Sequence, residues 1–96
     1  MEERFAEWLG ENLNISESSI GKYKRAIRAV TKDMEEEGVI EKDLYLVTSP
    51  TDFYRIKEKI FENKFFYDKD TRGNRMYSVA MNHYYEFLVS INSDAE

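Results

Sequence analysis

A chain of 96 residues, 42% of them hydrophobic, supports one modest core and a single domain over 1–96. With four glycines and one proline it does not resemble a disordered tail, and the absence of cysteine excludes a disulfide framework, a thiolate nucleophile and a thiolate metal site. Formal net charge is -5, from 14 Lys+Arg against 19 Asp+Glu, which runs against nucleic-acid binding unless the positive charge is gathered on one face.

The opening residues 1–10 are acidic and lack the basic and long apolar regions of a signal peptide, and no apolar run approaches the roughly 20 residues of a membrane span. The expectation is a cytoplasmic protein without membrane contact. Phe5, Trp8 and Leu9 have the spacing of a short amphipathic helix over 2–11, ended by Gly10 and the Asn12–Asn14 stretch. Ser16 can cap a second helix, and Glu17 suits its positive end. Ile20, Tyr23, Ile27, Val30 and Met34 then form a narrow stripe of about 80°, which predicts a helix over 17–37 closed by Gly38. Residues 39–47 read as a linker or a short helical turn anchored by Leu44 and Val47.

Ser49-Pro50 with Asp52 opens a third helix, over 50–63, carrying Phe53, Ile56, Ile60 and Phe61. Phe65, Phe66 and Tyr67 allow a short strand without an obvious partner, and the polar run 68–75 reads as a loop. A last helix is predicted over 75–91, with Met76, Tyr77, Ala80, Met81, Tyr84, Phe87, Leu88 and Ile91 on an arc of about 140°, and a frayed end over 92–96. The fold class is therefore all-α, a compact four-helix domain.

Chemistry is sparse. His83 is the only histidine and falls at the edge of the last helix's apolar arc, where a packing role outweighs a catalytic one. No zinc-protease helix, phosphate-binding lysine loop or dinucleotide turn is present. Asp68 and Asp70 lack the glycine and glutamate of a calcium loop, so no metal or cofactor is expected. The Glu35–Glu37 run reads as solubilising surface.

The positive charge is better organised. Lys22, Lys24, Arg25, Arg28 and Lys32 precede Asp33 with no acidic residue among them. In projection they oppose the apolar stripe and form a basic strip roughly 12 Å long, matched to a few phosphates. Lys64, Lys69, Arg72 and Arg75 surround the Gly73-Asn74 turn, where the start of the last helix can itself hold a phosphate. Acidic residues lie mostly elsewhere: Glu2, Glu3, Glu7 and Glu11, then Asp33, Glu35, Glu36, Glu37, Glu41 and Asp43. Such a strip serves nucleic acid, or faces an acidic surface within the same chain or on a protein partner. Tyr54, Tyr67 and Tyr85 are the aromatic residues expected at the surface.

Phe5-Ala-Glu-Trp-Leu followed by Ile15-Ser-Glu-Ser-Ser-Ile-Gly-Lys-Tyr-Lys-Arg-Ala-Ile resembles the opening of the SAM-like core-binding domain of phage integrases and other tyrosine recombinases. Ser16, Ser19, Ile20 and Tyr23 match its S-x-x-T/S-I-x-x-Y helix. Arg72-Gly-Asn-Arg-Met-Tyr-Ser-Val-Ala-Met-Asn-His-Tyr-Tyr-Glu-Phe-Leu, together with Leu44-Tyr45, resembles N-terminal helical modules found ahead of nuclease or ATPase parts in restriction-type proteins. The resemblance implies a non-catalytic module that clamps duplex DNA while a fused or partner nuclease, ATPase or recombinase domain does the cutting. None of the recombinase catalytic residues is recognisable. Under this reading Arg25, Arg28 and Lys32 grip the backbone with Lys24 in support, Lys22 and Lys69 belong to the same DNA-binding surfaces, Arg72 and Arg75 reach a groove, and Asn74 caps the last helix. The alternative is a protein-interaction domain, such as a small phage or bacterial regulator, that does not bind DNA.

Overall fold

Short polar side chains set most of the helix starts. In a computed structural model, which describes residues 1–93, Ser16 Oγ accepts from Ser19 N at 3.2 Å and Ser49 Oγ from Asp52 N at 3.3 Å. These caps open α2 (Glu17–Glu36) and α3 (Pro50–Glu62), which follow α1 (Glu2–Asn12). The chain then forms α4 (Lys64–Arg72) and α5 (Met76–Ser93), with a 3-10 turn at Leu44–Leu46 between α2 and α3. The described residues contain no strand.

Among the described residues five helices replace the four expected. Residues 64–72, read as a possible strand and a polar loop, form α4. Asn63 ends α3 in an extended conformation and caps α4 at once, its Oδ1 accepting from Phe66 N at 3.0 Å. The helix escapes periodicity because only Phe66 and Asp70 are buried along it. The expected frayed end lies, from residue 94 on, outside the described residues.

α2 closes on Gly38, whose φ of +74° is open to glycine at no steric cost. Val39 N donates to Met34 O at 2.9 Å and Gly38 N to Glu35 O at 3.1 Å, a paired closure that satisfies the last carbonyls. The connection after it is stitched to α2 by Leu44 N donating to Thr31 Oγ1 (3.2 Å) and Tyr45 Oη donating to Lys24 O (2.7 Å).

The core is largely aromatic. Tyr84 of α5 is fully buried, with ring centroids of Phe53 (4.9 Å), Phe5 (5.2 Å), Tyr45 (5.5 Å) and Phe87 (5.7 Å) around it. Its hydroxyl donates to Val47 O at 3.2 Å, so the phenol keeps a polar partner inside an apolar cluster. Leu9, Ile27, Met34, Ile60, Met81 and Leu88 complete the centre. α5 thus packs on α2 and α3, and α1 lies against α2.

Gly38→Ala is expected to cost about 1 kcal/mol in urea unfolding, through φ alone, because a Cβ there meets nothing within 4 Å. Burial also pushes the Tyr45 and Tyr84 phenols well above their ordinary 10.0. Above pH 10 the unfolded chain releases protons that the folded chain keeps, so stability is full below that pH and falls as pH rises. The urea midpoint should drop between about pH 9 and about pH 11, and by less in Tyr45→Phe/Tyr84→Phe than in the parent.

Candidate nucleic-acid interface

With the apolar stripe of α2 turned inward, its cations divide between two sides of the helix. On one side α1 supplies carboxylates. Its first-turn acids, favoured by the helix dipole at that end, reach Lys24 and Arg28: Lys24 Nζ lies 3.6 Å from Glu3 Oε1, and Arg28 donates a charge-assisted hydrogen bond to Glu2. Glu2, only 18% exposed, holds the Arg28 guanidinium still more firmly charged than usual. Lys32 shares with Arg28 a recess of about 740 Å³ whose lining includes Glu2, Glu35, Glu36 and Asp43. The two cations there stand among four carboxylates. The continuous basic strip expected from the sequence is therefore interrupted by tertiary partners.

The other side differs. Lys22 lines two adjoining recesses, of about 320 and 170 Å³, between α2 and the turn that starts α5, and Arg25 lines the smaller one. Ser19, Tyr23, Gly73, Asn74, Met76 and Val79 form the first, and Ala26, Ala29, Met76 and Tyr77 complete the second. Neither lining contains an acidic residue. Arg25 folds back along its own helix, and a Cβ at Gly21 would come within 3.0 Å of its Nη1. Tyr23 is held by an edge contact with the His83 ring at 5.2 Å, which gives His83 a packing role. Among the described residues Lys22, Arg25, Lys32, Arg72 and Arg75 form no ion pair.

The α4–α5 turn departs from its expected chemistry. Asp70 is 8% exposed, and its Oδ1 accepts from Ser78 N at 2.9 Å. A carboxylate thus already occupies the anion-favouring start of α5, and Asp70, not Asn74, supplies the cap. The Asp70 carbonyl accepts from Arg75 N at 2.7 Å, while Ser78 Oγ donates to Arg75 O at 3.1 Å. Asn74 and Arg75 take φ of 56° and 65°, in the left-handed region, whereas Gly73 beside them has a φ of -94°. Glycine at 73 serves close approach instead: a Cβ there would lie 3.1 Å from the Tyr77 ring.

Lys69 is drawn away from solvent. Its Nζ sits 2.7 Å from Asp33 Oδ2 and 5.2 Å from the Tyr77 ring centroid, a tie between α4 and α2. Arg72 is exposed at the end of α4, and Arg75 faces a separate recess whose lining includes Phe61, Tyr67, Asp70, Ser78 and Asn82. Of the eight candidate cations, the fold brings Lys22 and Arg25 together beside the turn and binds Lys24, Arg28 and Lys69 to carboxylates. The role of Asp70 had no local signal, since its capping bond reaches eight residues forward. Among the expected surface tyrosines, Tyr54 and Tyr67 are exposed and Tyr85 is half-buried. Lys57 lies 4.9 Å from the Tyr54 ring and 5.3 Å from that of Tyr85, and donates to Asn82 Oδ1 at 3.1 Å.

No group of three His, Asp or Glu side chains is placed to hold a metal ion among the described residues, and none of the helices they form is long and apolar enough to cross a membrane. Lys69→Ala, which strips the partner from a half-buried Asp33, should lower stability by about 1 kcal/mol after allowance for solvent screening. A urea series on Lys69→Ala and on Lys69→Met/Asp33→Asn checks this, with the double variant expected to recover most of the loss. Comparison of the chain with family models, with curated proteins and with solved structures finds no match.

Proposed function

We propose that this domain is a non-catalytic duplex-DNA-binding module that serves a cutting or rejoining activity carried by a fused or partner domain. The observation that carries the reading is the shelf at Lys22 and Arg25: in a chain of net charge -5, two unpaired cations line adjoining recesses without a carboxylate. Lys22 and Arg25 hold phosphates there, and Arg72 at the neighbouring end of α4 adds a third contact. Charges farther than a screening length of about 10 Å count little at 0.1 M salt, so a local cationic face outweighs distant acids. The resemblance of Ser16–Tyr23 and Gly73–Leu88 to recombinase and restriction-type modules points to the same partner class.

A second reading, docking of a protein, is favoured by the exposed rings of Tyr54 (46%) and Tyr67 (60%) on α3 and α4. On that side Lys57 packs against the Tyr54 and Tyr85 rings and hydrogen-bonds to Asn82.

A fluorescence-anisotropy titration of a mixed-sequence duplex separates the two. Three phosphate contacts imply a salt slope near -2.7, hence roughly 40-fold weaker binding at 200 mM than at 50 mM salt. Arg25→Glu should weaken binding about tenfold at the lower salt and reduce the slope by about one. Arg28→Glu, on the carboxylate-lined side, should change affinity by less than about threefold. Absence of binding at the lower salt, or a larger loss from Arg28→Glu than from Arg25→Glu, contradicts the proposal.

A further inference from the structure

We infer that Arg75 is the residue through which this module discriminates among DNA sequences, a step that rests on the duplex-binding reading above. Arg75 holds a φ of 65°, a conformation that glycine and asparagine adopt readily and arginine does not. Three hydrogen bonds hold the backbone there through main-chain atoms of Arg75. Its N–H donates to Asp70 O at 2.7 Å, and its carbonyl accepts from Ser78 Oγ at 3.1 Å and from Val79 N at 3.0 Å. Glycine would meet the same requirement without strain.

The guanidinium contributes none of these bonds, is exposed and forms no ion pair among the described residues. Strained backbone clusters at binding sites, and here it carries a side chain that the fold itself does not use. Asn74 also has positive φ, but asparagine tolerates it, and Arg72 is helical, so the strain singles out Arg75.

The chemistry then favours a base over a phosphate. A phosphate can be met by a mobile lysine on an unstrained surface. A planar guanidinium, with its donors in a fork, fits the paired acceptors O6 and N7 of guanine in the major groove. The turn also stands between two recesses, with Asn74 in the one beside Lys22 and Arg75 in the one beside Tyr67. A ridge of this kind enters a groove while Lys22 and Arg25 hold the backbone next to it.

The test is enrichment from a pool of duplexes with a randomised centre, using the full chain and its Arg75→Gly and Arg75→Lys variants, with thermal unfolding of each. The parent should enrich a motif containing a guanine. Arg75→Gly should raise Tm by about 3 °C as strain is released. It should also bind the enriched duplex roughly 10- to 100-fold more weakly while affinity for the unselected pool changes by less than about threefold. Arg75→Lys keeps the charge and should lose the motif as well. A motif retained by either variant, a parent that binds the pool without enriching any motif, or a lower Tm for Arg75→Gly overturns the assignment of Arg75. A parent that fails to bind the pool overturns the duplex-binding reading itself, and with it this one.

Discussion

The ring of Tyr84 organises this domain. Phe5 of α1, Phe53 of α3 and Tyr45 of the connection all pack on it, and its hydroxyl holds the Val47 carbonyl. An aromatic ring supplies the area that a small core needs, and the buried hydroxyl requires a partner in one place, which fixes where the connection passes. With Phe5 fixed there, α1 has little freedom over α2. Its acidic first turn is thereby delivered to Lys24 and Arg28.

This packing decides the charge pattern that a ligand meets. Cations that look equivalent along α2 become unequal once neighbours arrive. Those beside α1 and the 3-10 turn face Glu2, Glu3, Glu35, Glu36 and Asp43, whereas Lys22 and Arg25 face the start of α5, where the carboxylate of Asp70 is turned inward as a cap. Asp70 therefore acts twice. It satisfies Ser78 N, and its carbonyl holds the left-handed turn in which Arg75 stands.

Local signals were legible in the sequence. The caps at Ser16 and Ser49, proline at the start of α3, the closing Gly38 and the stripe from Ile20 to Met34 involve residues within one or two helical turns, and each lies where the structure has it. α4 was not legible, because an inward face of one phenylalanine and one aspartate leaves no apolar period to read. The charge partition was not legible either. Arg28 meets Glu2 across 26 residues, and Lys69 meets Asp33 across 36, contacts that depend on helix docking and leave no mark on spacing. At the Gly73-Asn74-Arg75 turn the positive φ falls on Asn74 and Arg75 and not on the glycine, where a Cβ would lie 3.1 Å from the Tyr77 ring.

Mapping of backbone amide shifts during titration with a short duplex tests whether docking of α1 leaves the Lys22–Arg25 side of α2 as the face that takes DNA. Shifts clustered at Ser19–Ala26 and Gly73–Met76, with Glu2–Phe5 and Leu44–Leu46 unmoved, are the predicted result. Shifts centred on Glu2, Arg28 and Lys32 would contradict it, because DNA would then have displaced the carboxylates that the packing places there.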